Sequence, residues 1–559
     1  MPGHVHWKVN TINDGAQRKQ APPEPARLEL AERVLHAVPP RSITDAFVNH
    51  FLSVVNYRYS TIYAPTFTNQ YVQWWADRAA GKRLSPEFTC LLLRVCAYSV
   101  QYLTSSLRKM IIFEMACDLQ QLTDRFSEAA EQLSQSFTAA NTCVERVQEQ
   151  FLKGAWLKSE AKIVESWHVL GCTIREAQEL GIDRDANTKG LNEFEIEIRR
   201  RIWALLYIWD WQMGAWLGRP NLIDQKNLKF KLPTLRLDSS SSEPNLLSPF
   251  AHMALQASLG RRLNTVMGDA QSVEALSANE IISIQARLDK FIDDLPSIFR
   301  LHDPDTSLDV DHPYLVFQRH QLHTVLHVTK LDFLKPFLTR ARDDKKTDRD
   351  DEFRAMGIDL ALDVLMVARR LFDHEFPINA KFHMVVFSIF DTSTILCSAI
   401  IHDSESSLTR RDEVTNAING SLDMLHQLSR STKLGASSYA FLYKLVQSHP
   451  EISCGAGAGK RLRRLSSTST HTLELPPLVH HSSSKESVNS SIGIQAPASI
   501  SQTSTAIEPT STMPLIHDFS FDVDQFLAQN PLGSANALDM GGIEQIWDWE
   551  DLNLDQFPC

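Results

Sequence analysis

Three histidines in the central part of the sequence have a spacing that could support metal chemistry. His320, His323 and His327 are separated by three and four positions, so a helix would place them on one face. Imidazole nitrogens arranged in this way can ligate Zn²⁺. The alternative is a helix face, at a domain surface or groove, that tolerates histidine without binding a metal. We predict the second, and we assign neither a catalytic nor a metal site to this sequence.

Motifs typical of enzymes do not occur with the spacing that their chemistry needs. No G-x-S-x-G, H-E-x-x-H or G-x-G-x-x-G stands in a fitting context. The eight cysteines are scattered, and no two of them are separated by only two residues, which excludes a zinc ribbon or a C-x-x-C redox motif in this sequence. We therefore predict that the protein is not an enzyme and that this chain carries no cofactor.

The segment CGAGAGKRL, residues 454–462, has glycines and a lysine like a phosphate-binding loop, but their spacing differs. Cys454 stands where the first glycine belongs, and Arg461 replaces the serine or threonine that follows the lysine. A nuclear-import signal fits better, because a compact basic cluster lies in a polar stretch. Its members are Lys460, Arg461, Arg463 and Arg464. The alternative is a solvated linker with incidental charge.

A candidate phosphorylation site follows this basic cluster directly. Ser466 comes two residues after a pair of arginines, which is the pattern that basophilic kinases prefer. A phosphate there would offset the local positive charge. We predict Ser466 as the modified residue.

The negative charge of the chain is concentrated at its C-terminal end. The formal net charge of the 559 residues is −11, and the 11 acidic residues after Lys485 account for all of it. In this tail the acids alternate with apolar side chains, which keeps the latter solvated and available to the groove of a partner protein. The alternatives are a terminal helix that docks on the core or an inert tail. The predicted contact residues are Phe519, Phe521, Phe526, Leu527, Trp547, Trp549, Leu552, Leu554 and Phe557.

The elements that must position these residues are helices, since strand-like alternation is nearly absent from the sequence. We predict an all-α fold with a large multi-helix domain. No stretch of 18 charge-free apolar residues occurs, so we expect no membrane partner. The predicted segments are a disordered N-terminus over 1–40, the helical domain over 41–450, a disordered Ser/Thr-rich linker over 451–512 and an acidic, aromatic segment over 513–559.

The most apolar predicted helix covers residues 191–217. Its tryptophans next to three arginines could mark a nucleic-acid surface, and its apolar run could mark a membrane helix. A helix that is apolar nearly all round is instead typical of the core of a large domain, which is our prediction. The apolar stripe with helical spacing comprises Phe194, Ile198, Ile202, Leu205, Trp209, Met213 and Trp216.

The charged residues of this helix need partners if the helix is buried. We predict ion pairs from Glu195 to Arg199 and from Glu197 to Arg201, at the favourable spacing of four. A buried Asp210 needs either one of the arginines or a backbone amide. Gly218 is predicted to cap the end of the helix, because Pro220 forbids its continuation.

The segments ESWHVLGCTIREAQELGIDRD and EIEIRRRIWALLYIWDWQMGAWLGRPNLIDQKNLKFKLP resemble the signature of the fungal-specific transcription factor domain. This domain is the middle homology region of fungal zinc-cluster regulators. The segments SVVNYRYSTIYAPTF (53–67) and LHTVLHVTKLDFLKPFL (322–338) are similar to its flanking parts, so the resemblance covers about residues 41–450. The matching positions are Glu197, Arg199, Arg200, Arg201, Trp203, Tyr207, Asp210, Gly218, Arg219, Pro220, Ile223 and Pro233.

Two features of the sequence depart from the family pattern. Trp211 follows the buried aspartate where the family often has arginine, so the partner of Asp210 must differ. The family also typically carries an N-terminal cluster of six cysteines that binds two zinc ions, and no cysteine precedes Cys90 here. We expect that this chain lacks that DNA-binding module, and zinc would be a cofactor only if such a cluster exists upstream.

The resemblance implies an all-α regulatory domain in a nuclear transcription regulator, with pathway-specific control of a metabolic or secondary-metabolite gene cluster. The acidic tail then implies an activator whose partners are transcription coactivators. Further partners implied are a DNA-binding protein or a second copy of the chain in a homodimer, and we expect no specific DNA binding from this chain alone. The alternative is a non-DNA-binding transcriptional cofactor or ligand-sensing adaptor that acts through a DNA-binding partner.

Overall fold

Helices form all of the regular secondary structure that the computed structural model describes. The described residues are 24–138, 141–188, 190–224, 230–233, 237, 246–267, 273–340, 348–403 and 407–453. The all-α prediction is confirmed for these ranges, which contain no strand. Their α-helices are α1 (Glu24–Leu35), α2 (Arg41–His50), α3 (Ala64–Ala79), α4 (Pro86–Val100), α5 (Ser105–Met115), α6 (Leu119–Gln135), α7 (Val144–Ser159), α8 (Ile163–Glu179), α9 (Glu193–Trp216), α10 (Ala251–Met267), α11 (Ala278–Asp293), α12 (Tyr314–Asp332), α13 (Lys335–Thr339), α14 (Asp348–Glu375), α15 (His383–Ile401), α16 (Arg411–Ser429), α17 (Lys433–Ser448) and α18 (Pro450–Ser453).

Side-chain caps determine where several of these helices begin. The hydroxyl of Ser85 accepts a hydrogen bond from the backbone N–H of Phe88 at the start of α4. Helix α9 begins with a capping box, in which Asn192 accepts from the N–H of Glu195 while the Glu195 carboxylate accepts from the N–H of Asn192, both at 2.9 Å. Because these bonds satisfy N–H groups that the first helical turn leaves unpaired, they fix the start of the helix.

Helix α9 lies between two groups of helices in the core of the described region. It packs against α7, α8 and α10. On the N-terminal side α4 packs against α6 and α7, and on the C-terminal side α12 and α15 pack against α14 while α15 also packs against α16 and α17. The contact of α12 with α10, which packs against α9, joins the two groups. Buried apolar residues from all these helices form one hydrophobic cluster.

The structure differs from the prediction of a disordered segment over 1–40 in its last part. Residues Glu24–Leu35 form α1, and Val34 and Val38 are buried against the core. The polar, proline-containing composition of this segment conceals the helix. Residues 1–23 lie outside the described part of the chain.

Helix α15 is long and apolar enough to cross a membrane, by length and composition alone. Of its most apolar window, 89% is buried inside the structure. Such burial is typical of the central helix of a large core, because a membrane helix would expose this surface to lipid. Asp391 in its middle is also buried, next to the ammonium group of Lys335 at 3.8 Å.

Candidate functional site

Helix α9 carries most of the predicted signature, and residues 201–210 in its middle are all buried. Trp203, Tyr207 and Trp209 are all 3% exposed or less. Trp203 and Tyr207 both contact the ring of Phe230, while Trp209 packs at 4.3 Å, between ring centroids, against Phe151 of α7. The prediction of a buried core helix is confirmed, and these tryptophans do not lie on a nucleic-acid surface.

Two of the three consecutive arginines of α9, Arg199 and Arg200, hold the turn that precedes it. Arg199 donates to the carbonyl oxygen of Leu180 at the end of α8, at 3.0 Å. Arg200 makes two hydrogen bonds, at 3.1 and 3.0 Å, with the carboxylate of Asp185. Leu180 and Asp185 begin and end the LGIDRD segment, so these arginines tie two parts of the signature together.

Of the two predicted ion pairs, the structure contains one. Arg201 donates from Nε to Glu197 at 3.1 Å and from Nη2 to the Ser248 hydroxyl at 3.2 Å, and Glu197 is completely buried. The predicted pair between Glu195 and Arg199 is wrong, because the Glu195 carboxylate closes the capping box and Arg199 reaches a helix C-terminus instead. Both groups prefer a partially charged helix end to an exposed ion pair with each other.

Asp210 holds the turn that follows α9. Its carboxylate accepts hydrogen bonds from the backbone N–H of Leu222 at 3.0 Å and of Ile223 at 2.8 Å. Of the two predicted kinds of partner, an arginine or a backbone amide, the structure contains the amide, which explains why Trp211 can replace the family's arginine. Burial raises the pKa of Asp210, and the hydrogen bonds from Ile223 and Leu222 partly oppose this effect.

The GRP turn closes onto the last turn of α9. Gly218 has a φ of 59°, as expected for a glycine that caps a helix. A Cβ atom on Gly214 would lie 2.5 Å from Oδ1 of Asn221 and 3.0 Å from the carbonyl oxygen of Arg219, so a larger residue would require the turn to shift. The guanidinium of Arg219 lies 4.6 Å from the ring centroid of Trp167 on α8, while Pro220 is exposed. Pro233 is buried. The signature residues therefore form one clamp that joins α8, α9 and both turns.

The three histidines of α12 are held by the protein itself. Nε2 of His323 bonds with the carbonyl oxygen of Phe299 at 2.7 Å, and Nδ1 of His327 with that of His323 at 2.8 Å. Burial lowers the pKa of His320 and of His323 to about 4 each. They do not form the predicted surface or groove face, since His323 is completely buried. Across the described residues no group of three or more His, Cys, Asp or Glu side chains could hold a metal ion.

A cavity that the sequence does not reveal lies beside the C-terminal end of α9. Lys158, at the end of α7, lies at its base together with His383, the first residue of α15. Nζ of Lys158 lies 3.5 Å from the ring centroid of Trp209. No motif in the sequence singles out Lys158. A signal of helical spacing was present, since Lys158 stands seven residues after Phe151 and three after Ala155, which are both buried.

The remaining predicted functional residues fall beyond residue 453, outside the part of the chain that the structure describes. These are the basic cluster Lys460, Arg461, Arg463 and Arg464, the predicted phosphorylation site Ser466, and the nine apolar residues of the acidic tail from Phe519 to Phe557. They stay predictions.

Comparison with known proteins supports the family resemblance that the signature residues indicate. Residues 48–295 match the family model of the fungal specific transcription factor domain. The chain is 28% identical over 307 residues to "Probable transcription factor sol4" of Alternaria solani, which covers 53% of either protein. It is 23% identical over 437 residues to transcription factor xilB of Penicillium rubens (72% of this chain, 63% of the relative). It is also 23% identical over 335 residues to the equisetin cluster transcription factor eqxF of Fusarium heterosporum (57% of this chain, 47% of the relative).

The chain thus spans between about half and two thirds of the length of these relatives. The family and the relatives are transcription factors rather than enzymes. The matched region contains the whole clamp around α9, from the LGIDRD turn to Pro233. Residues 48–295 of this chain are therefore similar to the fungal specific transcription factor domain.

Proposed function

We propose that the protein is a nuclear transcription regulator that controls the genes of one metabolic or secondary-metabolite cluster. The observation that carries this proposal is the family domain over residues 48–295, with its signature assembled into one clamp. Two relatives are named for such clusters, the equisetin cluster transcription factor and the fusarisetin A cluster transcription factor. A deletion of the gene should therefore lower transcripts of one set of neighbouring genes, and transcripts that stay unchanged throughout the genome would contradict it.

We further propose that the acidic tail activates transcription by binding coactivators. The support is its composition, since aromatic side chains alternate with acids over a stretch without basic residues. Residues 451–559, fused to a foreign DNA-binding domain, should activate a reporter gene. Replacing Trp547, Trp549 and Phe557 by alanine should abolish this activity.

The matched control removes apolar surface from the linker instead of the tail. Alanine at Leu478, Ile492 and Ile494 should leave the reporter active, because these residues lie outside the acidic alternation. A fusion that does not activate the reporter would overturn the activator proposal. Equal loss of reporter activity from the tail and the linker substitutions would also overturn it.

A second candidate is a regulator that reaches DNA only through a partner. The observation that favours it is the engagement of the most conspicuous basic run, Arg199 to Arg201, in contacts within the domain. The purified chain should then bind cluster promoters no more tightly than random DNA, and its weak binding should vanish as salt rises. Promoter-specific binding that survives at 200 mM salt would exclude this candidate.

A further inference from the structure

Helix α5 exposes apolar side chains that the rest of the domain does not cover. Nine large apolar residues in the described part of the chain are exposed, and three of them, Met110, Ile112 and Phe113, lie within four consecutive positions of this helix. The side chain of Phe113 is 85% exposed. Single exposed apolar residues are common on soluble proteins, whereas a group of them is typical of an interaction surface.

The helix is attached to the domain along one side only. Ile111 is completely buried, and Leu107 and Met115, one turn before and one turn after it, are half-buried. Because these three residues are spaced by four, they form one row that faces the core. Lys109 and Phe113 lie on the opposite side of the helix, so α5 cannot bury Phe113 and Ile111 against the core at the same time.

The exposed side of α5 also carries positive charge. Arg108 and Lys109 are exposed, and neither forms an ion pair within the described residues. Glu114 is the only acid of the helix and follows Phe113. A partner that fits this surface therefore brings apolar side chains for Phe113 and Ile112 and acids for the two cations.

The size of this surface favours a short segment over a second folded copy of the chain. Helix α5 has 11 residues, which gives a length of about 16 Å at a rise of about 1.5 Å per residue. Stable dimers bury about 800 Å² on each partner, whereas the three exposed side chains offer on the order of 300 Å². A segment of the same chain needs less contact area, because tethering raises its effective concentration.

The C-terminal tail contains a segment with the matching chemistry, PLIHDFSFDVDQFL at residues 514–527. Apolar residues recur in it at the spacing of one helix face, and acids lie between them without any Lys or Arg. The apolar residues are Phe519, Val523, Phe526 and Leu527, and the acids are Asp518, Asp522 and Asp524. The 60 residues between Ser453 and Pro514 can extend over about 200 Å, so the segment is long enough on its tether to reach α5.

We propose that residues 514–527 of the acidic tail dock on the exposed side of α5 in the same chain. The phenylalanines of the segment cover Phe113 and Ile112, while its aspartates pair with Arg108 and Lys109. This contact goes beyond the proposed function. It leaves the second half of the tail, with its tryptophans, available to coactivators.

Photo-crosslinking of the purified full chain tests this contact directly. The photoreactive amino acid benzoylphenylalanine takes the place of Ile112, next to Phe113 on the exposed side of α5. After irradiation, mass spectrometry should find cross-links from position 112 to residues 514–527 in chains that keep the mass of a monomer. An absence of cross-links to this segment, or cross-linked products with the mass of two chains, would overturn the proposal.

Substitutions on both sides of the contact assign the cross-link to it. Phe113→Ser should lower the cross-link yield at least about fivefold, because the burial of a phenyl ring is lost. Phe519→Ser combined with Phe526→Ser should have the same effect. Phe113→Ser should leave the melting temperature unchanged, since its ring is exposed. The matched control is Val310→Ser, which removes another side chain that is 88% exposed. An equal loss of yield in this control would overturn the assignment to α5.

The ionic part of the contact has its own readout. Arg108→Gln combined with Lys109→Gln should lower the cross-link yield, and the yield from the chain with both cations should fall as salt rises toward about 1 M. A yield that neither change affects would overturn the charge pairing on which the choice of the acidic segment rests. The reporter fusion of residues 451–559 contains no α5, so its activity tests the activator proposal independently of this docking.

Discussion

The charged groups at the two ends of helix α9 differ in whether the fold supplies a partner for them. At the N-terminal end, Arg199, Arg200 and Arg201 each reach an acceptor, and the Glu197 carboxylate is buried against Arg201. Beside the C-terminal end, Lys158 and His383 are equally buried but have no such acceptor among the described residues. Charges that stabilise the fold are paired within it.

The largest loss of stability is expected from a substitution at the N-terminal end of α9, where the charges are paired. Glu197→Ala leaves the Arg201 guanidinium buried without its carboxylate, which costs about 3–5 kcal/mol of the free energy of unfolding. Urea unfolding measures this loss. Glu195→Ala is the matched control on the same helix and should cost about 1 kcal/mol, since Glu195 only completes an exposed cap. Equal losses for the two variants would show that the buried pair has no special weight.

A somewhat smaller effect is expected at Asp210. Asp210→Ala leaves the N–H groups of Leu222 and Ile223 without their acceptor, and Ile223 is buried. We expect a loss of about 2–3 kcal/mol. Asp210→Asn keeps an oxygen acceptor and should recover much of that loss in the same unfolding experiment. If Asn is as damaging as Ala, the carboxylate has a role other than holding the GRP turn.

Much of this clamp could be predicted from the sequence, but the cavity could not. Sequence patterns with a period of three or four reveal features that depend on neighbours in sequence. These features are the start of α9, its burial, the Glu197–Arg201 pair and the Gly218 cap. The bond from Arg199 to Leu180 and that from Arg200 to Asp185 depend on how α8 folds back on α9. Lys158 and His383 are 225 positions apart by residue number, and nothing local announces that they meet.

The histidines of α12 give a pH-dependent effect of intermediate size. Burial lowers the pKa of His323 to about 4, so the unfolded chain binds a proton more readily than the fold between about pH 6.5 and pH 4. Stability is fully present above pH 6.5 and is lost as the pH falls toward 4. This residue alone should account for a loss of about 1–2 kcal/mol between pH 7.5 and pH 5.

The variant His323→Gln tests this contribution. It should reduce the difference between the unfolding free energies at pH 7.5 and pH 5, because glutamine does not titrate. His426→Gln is a matched control on exposed surface and should leave the difference unchanged. An undiminished difference in His323→Gln would place the pH dependence elsewhere.

The smallest effect on the free energy of unfolding is expected at Lys158, beside the C-terminal end of α9. It should have the opposite sign, a small gain instead of a loss. Lys158→Met removes an amine that has been desolvated without a partner and retains its apolar stem against Trp209. Its free energy of unfolding should be unchanged or up to about 1 kcal/mol higher. Lys433→Met should change it by less than about 0.5 kcal/mol, as is usual for exposed positions. A loss of several kcal/mol in Lys158→Met would mean that the amine stabilises the fold as the charges of α9 do.

The most direct test of the contrast is the ionisation of Lys158 itself. Carbon-13 at the ε position of lysine reports protonation by NMR, and the Lys158 signal is assigned by its absence from the Lys158→Met spectrum. We expect the Lys158 signal to titrate at a lower pH than the signals of exposed lysines, because burial disfavours its ammonium form. A Lys158 signal that titrates together with those of the exposed lysines would contradict the contrast between the two ends of α9.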